Sequence, residues 1–264
     1  MDFEIKEKYD FYDLVKIMAL LRAPDGCPWD REQSHESIKT NLIEETYEVI
    51  EAINKQDKEL LCEELGDLLM QAVFHAQIEK EQGAFDIDDV CTGIVKKLVE
   101  RHPHIFGSAN ADTVDKVLET WEEIKAKTKN RKTVASSIAS VPRELPALMR
   151  AQKVQKKAAK AGFDWDNIDG AFDKIYEELD ELKEVIKEEN SEKITDEFGD
   201  VLFSCVNVSR FLHIDSEQAL TESTDKFAKR FERVEKKCRE NNIDMPSSSV
   251  EELDKIWESV KNEA

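Results

Sequence analysis

Glycine and proline are scarce in this chain, 8 and 6 among 264 residues. Long stretches of alternating β-branched residues are missing. Together these absences argue against a strand-rich fold, whose many turns need both residue types. No Cys-x-x-Cys occurs, and the five cysteines (Cys27, Cys62, Cys91, Cys205, Cys238) lie far apart. An odd, scattered set does not read as a disulfide framework or a zinc site; it reads as reduced thiols in the cytoplasm. The first residues, MDFEIKEKYDFYDLVKIMALLR, lack a basic leader, and their apolar run is too short and interrupted for export or membrane spanning. Positive charge is in deficit: the formal net charge is −20. That field repels nucleic acid phosphates, so duplex binding is not expected.

What is present is helical periodicity with long charged faces; charged residues make up 36%. Phe11, Leu14, Val15, Met18 and Leu21 mark a first helix after Asp10, ended by APDGCPWD. A second is expected from about Ser34 or Glu36 to Ile53, with Leu42, Thr46, Val49, Ile50 and Ile53 on one stripe. NKQDK turns the chain. A third runs from about Glu59 to Glu81, and a fourth from about Ile87 to Glu100, before RHPHIFG. A further helix carries Trp121. Composition changes over residues 126–150, which are basic, rich in serine and interrupted by Pro142 and Pro146. The expected division is a helical domain over 1–130, a linker or hinge over 131–150 and a second helical domain over 151–264.

The second half repeats the first. EELDEL resembles EETYEV, and DEFGDVL resembles EELGDLL. Glu178, Glu181, Glu197 and Asp200 each lie 133 positions after Glu45, Glu48, Glu64 and Asp67. Four acids matching at one offset point to two copies of one helical unit.

The acids have a mirrored arrangement. Around a turn at Gln56, Glu48 and Glu64 are each 8 residues away, and Glu45 and Asp67 are each 11 away. In an antiparallel hairpin, Glu48 therefore faces Glu64. Glu45 faces Asp67 one turn away, roughly 4.5 Å along the axis. The second copy is symmetric about Glu189. Packed helices lie about 8–10 Å apart, so these side chains can meet in the gap. Left alone they would raise one another's pKa values. Hard divalent cations remove the conflict, and all-oxygen ligation suits Mg²⁺ or Mn²⁺ better than Ca²⁺. Di-iron chemistry is disfavoured because Glu45, Glu64, Glu178 and Glu197 are each followed three residues later by an acid, never by histidine. The five histidines (His35, His75, His102, His104, His213) read as structural or surface residues. Gly66 and Gly199, inside the acidic motifs, read as positions of close helix approach.

After each box comes a basic pair at helical spacing, Lys97 and Arg101, then Lys226 and Arg230. Trp121 with Lys125, and Trp257 with Lys261, follow in the same order. Metal plus Lys and Arg suits a polyphosphate, and tryptophan can stack on a base. Lys174 precedes Glu178 by one turn; its counterpart is Asn41, so only the second copy adds this cation.

At these residues, and in LRAPDGCPWDREQSHESIKTNLIEETYEVIEAI, EELGDLLMQAVFHA, RHPHIFG and AAKAGFDWD, the chain closely resembles the MazG family of nucleoside triphosphate pyrophosphohydrolases. The resemblance spans nearly the whole chain. It implies an all-α fold of tandem units, each completing a four-helix-type bundle on homodimerisation. It further implies Mg²⁺ held by an ExxE…ExxD box, and hydrolysis of NTPs or dNTPs to monophosphate and pyrophosphate. Carried over, it places Mg²⁺ on Glu178, Glu181, Glu197 and Asp200, phosphates on Lys174, Lys226, Arg230 and Lys261, and the nucleoside on Trp257. Glu177 or Asp196 would accept the proton from water. The first copy keeps the metal set Glu45, Glu48, Glu64 and Asp67 and a second substrate site at Lys97, Arg101, Trp121 and Lys125, but departs at Asn41. The second copy is therefore expected to be the main catalytic unit. The competing reading is a non-catalytic helical sensor of nucleotide or metal.

Overall fold

The computed structural model describes residues 3–107, 113–114, 116–117, 120–121, 124 and 133–261. Among them every regular element is helical. The chain divides into two compact units, Met1–Thr128 and Lys129–Ala264.

In the first unit, α1 (Phe11–Leu21), α2 (Pro28–Glu32), α3 (Lys39–Lys55), α4 (Lys58–Glu81), α5 (Ile87–Arg101) and α6 (Pro103–Phe106) follow in order. The helix starts are written in aspartates. Asp10, Asp57 and Asp86 accept hydrogen bonds from the first free backbone N–H groups of α1, α4 and α5. Between α3 and α4 the chain reverses at Gln56, whose φ of 56° is left-handed. This is the turn centre about which the acids are mirrored.

Helix α4 has two main partners and also touches α5. Its first half pairs with α3, and its second half packs on α1. The buried residues of α4, Gln71, Val73, Phe74, Ala76 and Ile78, all lie in the second half. There the four apolar ones join Met18, Ile38 and Ile87 in one core. The hairpin end has no such cover. Ala52 is fully buried, but of the stripe expected to pack, Ile50 and Ile53 are 37% and 55% exposed. One helix face can be satisfied by one neighbour, and the outer apolar face has none among the described residues of this unit.

The loop after α1 is held by Arg22. Its guanidinium donates to the carbonyls of Asp30 and Gln33, makes two 2.9 Å hydrogen bonds to Glu81 and lies over the Phe74 ring. Gly26 is where backbone passes backbone: a Cβ there would lie 2.3 Å from the Leu21 carbonyl oxygen. Gly66 and Gly199 do not have that role, contrary to expectation. A Cβ at either would meet nothing within 4 Å.

The second unit contains α7 (Val134–Ala139), α8 (Ala147–Lys160), α9 (Ile168–Lys187), α10 (Ser191–Phe211), α11 (Ser216–Glu240), a 3₁₀ turn (Met245–Ser247) and α12 (Val250–Lys261). Its hairpin α9–α10 reverses at Glu189, φ 55°, and Asn190 caps α10 as Asp57 caps α4. Helix α8 packs on α10. Gln152 and Gln155 of α8 donate to the carbonyls of Ile214 and Phe203 at 2.6 and 2.7 Å. The segment read as a hinge is structured from residue 133 onward. Helix α7 packs on α8, Lys157 donates to Ser137 at 2.7 Å, and Val141 is buried. Helices α11 and α12 close on Val234, Cys238 and Val260, with Trp257 packed against them.

Candidate metal and nucleotide site

Each hairpin gathers its acids from both helices. In the first unit, carboxylate oxygens of Glu45, Glu48 and Glu64 lie within 4.8 Å of one another. In the second, Glu178, Glu197 and Asp200 do the same. Asp67 and Glu181 stand beside these clusters and act on them electrostatically. Burial and the neighbouring Asp67 and Glu48 push Glu45 above the usual carboxylate range. Partial desolvation and Glu48 push Glu64 up. In the second unit, desolvation, Glu178 and Glu197 raise Glu181. Desolvation, Glu178 and Asp196 raise Asp200. The facing pairs are those that mirror symmetry demands, 48 with 64 and 45 with 67, then 181 with 197 and 178 with 200.

The donor set fits a hard divalent ion. Three carboxylate oxygens at this spacing repel one another, and a small dication relieves the repulsion. Glu178 is only 5% exposed, while the other acids of both clusters are more open. Lys174 explains how a carboxylate sits there. Its ammonium lies 2.7 Å from Glu178 and 2.8 Å from Glu177, and these two hydrogen bonds raise the lysine's own pKa. Lys174 also draws the pKa of Asp200 down against the other acids. The first unit has Asn41 at this position, and there Gln71, not a cation, opposes the rise at Glu45.

The remaining expected substrate residues form a second group. Lys226 and Arg230 share a shallow groove on α11 with Lys229 and Arg233. Trp257 reaches back from α12 to Phe227, with ring centroids 5.1 Å apart. Lys261 pairs with Glu258 at 3.1 Å. Within the described residues, Lys174 is the cation paired with the box, and the α11–α12 group makes no ion pair with it. Trp257 is packed in a core rather than held free. In the first unit, Arg101 lies over the Trp121 ring at 5.5 Å. Lys97 is exposed on α5. Lys125 lies outside the described residues. The basic pairs keep one register in both units, 11 and 15 residues after the capping Asp86 or Asp215.

Two histidines that spacing gave no reason to connect are joined. His35 Nδ1 lies 2.7 Å from His75 Nδ1, and His35 Nε2 lies 2.6 Å from Glu79. They are 40 residues apart in sequence, so periodicity within one helix carries no signal of the pairing.

Among the described residues the chain is all-helical, with a carboxylate cluster able to hold a metal ion on each of two repeated hairpins. More particularly, the MazG nucleotide pyrophosphohydrolase domain model matches residues 33–106 and 170–235, which contain both boxes, and the chain belongs to that family. It is 46% identical over 251 residues to the nucleoside triphosphate pyrophosphohydrolase/pyrophosphatase MazG of Thermotoga maritima, covering 95% of both chains. It is 42% identical over 253 residues to the nucleoside triphosphate pyrophosphohydrolase of Escherichia coli K12, covering 95% of this chain and 96% of that one. It is also 44% identical to the uncharacterized protein YabN of Bacillus subtilis, covering 96% of this chain and 52% of YabN. No helix among the described residues is long and apolar enough to cross a membrane.

Proposed function

We infer that this chain hydrolyses nucleoside and deoxynucleoside triphosphates at the α–β bond, releasing monophosphate and pyrophosphate. The observation that carries the reading is the convergence of carboxylates from both arms of each hairpin, in a chain of this family. Glu178, Glu181, Glu197 and Asp200 hold Mg²⁺, for which Mn²⁺ substitutes, and Glu45, Glu48, Glu64 and Asp67 hold it in the first unit. The ion, when bound, neutralises phosphate charge and makes water more acidic. Lys174 hydrogen-bonds to the phosphates once the carboxylates have the ion as partner. Lys226, Arg230 and Lys261 complete the charge on the leaving pyrophosphate. Glu177 and Asp196, both beside the box, are the groups able to take the proton from the attacking water.

The second unit, within 151–264, is the main catalytic centre because it alone has Lys174. The working form is a homodimer in the cytoplasm. Support comes from apolar side chains left open on the hairpins: Ile43, Tyr47 and Leu65 in the first unit, Tyr176, Phe198 and Leu202 in the second. A second copy covers them and completes a bundle. All five cysteines are unpaired, as a reducing compartment requires.

Incubation with Mg²⁺ and dATP, with product analysis, tests the reading. The expected products are dAMP and pyrophosphate. Diphosphate plus phosphate would assign a different hydrolase. No turnover under any divalent ion would favour a nucleotide sensor.

A further inference from the structure

The two boxes carry the same four acids but not the same counter-charge. In the second unit the Lys174 ammonium lies 2.7 Å from Glu178, the acid that is only 5% exposed. It also acts on Glu181 and Asp200, against the acids that surround them. A second cation stands one turn before Glu197 on α10. Lys193 pairs with Glu188 at 2.7 Å, the main cause of its raised pKa, and also feels the charge of Glu197.

The corresponding positions of the first unit are Asn41 and Leu60. Among the described residues, Glu45 and Glu64 are influenced by burial, by neighbouring acids and, at Glu45, by the neutral Gln71 amide; no lysine or arginine is among these influences. The first box therefore presents its repulsion unrelieved, and the second presents it partly cancelled.

An ammonium beside a carboxylate does part of what a metal ion does. It cancels charge, it occupies an oxygen lone pair, and it repels a second cation that approaches. A dication that takes Glu178 as a full ligand must share it with Lys174 or displace the ammonium. Lys174 is partly exposed, so it can turn outward. The phosphate oxygens of a bound triphosphate are acceptors that would receive it there.

We propose that the first box takes up its divalent ion without nucleotide, whereas the second takes up its ion together with the nucleotide, whose phosphates draw Lys174 away from Glu178. The ion of the first unit is then a resident one that ties α3 to α4. The ion of the second arrives with the substrate, and Lys174 is the internal counter-ion that holds its place. The inference rests on the pyrophosphohydrolase reading above, through the assignment of both boxes to metal.

Titration of the full chain with Mn²⁺, read by electron paramagnetic resonance without turnover, tests the order of loading. In the absence of nucleotide, Glu45→Gln is expected to remove the tighter site, and Glu178→Gln to leave it in place. The second box should bind at least about tenfold more weakly than the first, because a cation stands beside its buried acid. Addition of α,β-methylene-ATP, which is not cleaved at the α–β bond, should tighten the second box at least about tenfold. Lys174→Ala is expected to tighten the second box toward the first without nucleotide, and to remove most of the response to the analogue. Asn41→Lys is expected to weaken the first box. Equal affinity of the two boxes in wild type without nucleotide, or a second box unmoved by Lys174→Ala, overturns the order of loading and leaves the hydrolase reading intact. Failure of either box to take up Mn²⁺, with and without the analogue, would instead remove the metal assignment and, with it, the order.

Discussion

At the scale of residues, the two boxes differ by one cation, and that difference is testable in both directions. Glu178→Gln and Asp200→Asn each remove a charged donor from the cluster. We expect turnover to fall on the order of 100-fold or more, with helix content by circular dichroism unchanged. Lys174→Ala removes a hydrogen bond to a charged group, an interaction of about 1.5–3 kcal/mol, so kcat/KM should drop roughly 10- to 100-fold. The reverse change, Asn41→Lys, made in a chain already carrying Glu178→Gln, should raise residual turnover, because it gives the first box the cation that the second has. A residual rate indifferent to Asn41→Lys would place the difference between the units elsewhere. The mirrored acids were legible because their positions are counted from a turn, and counting needs no coordinates. The burial of Glu178 was not legible. It depends on where α9 sits against α10 and on Lys174 closing over it.

At the scale of elements, most helices could be read from periodicity, and the first start from its capping Asp10. The second helix starts later than expected, at Lys39, since Ser34 to Ile38 form a turn closed by Ser34 and Ser37. The structure over 133–150 was illegible for another reason: two prolines and many serines hide a short helix that is stabilised by α8. The junction of this turn with α4 carries the His35–His75 contact. His75 is held below the ordinary histidine pKa by burial and then by His35. His35 and Glu79 are the titratable groups facing this junction. A lowered folded pKa means that the unfolded chain binds more protons below about pH 6.5. The stability is therefore fully present above that pH and is lost as pH falls through the depressed value. Melting temperatures measured from pH 7 to 5 should decline, and His75→Val should flatten the decline. The second unit already has Val208 at the corresponding position, buried. Arg22→Met, at the same C-terminal end of α4, should cost about 2–3 kcal/mol by leaving the Asp30 and Gln33 carbonyls and Glu81 without their shared donor; urea unfolding would measure it.

At the scale of the whole molecule, repetition was visible in the sequence, but the open apolar faces were not. A stripe of Leu, Val and Ile on a helix reads as core whether its partner is the same chain or another copy. Light scattering should give twice the 30.4 kDa of one chain. Charges placed at Phe198 and Leu202 should shift it toward one. Both units also reverse at a single left-handed residue, Gln56 or Glu189. An α-helix advances about 100° per residue, so one extra residue in either connection, propagated into the following helix, would turn its acids a little more than a quarter turn off the facing helix. Loop length is thus a chemical determinant here. A glycine inserted beside Glu189 would silence the second box without altering any of its side chains.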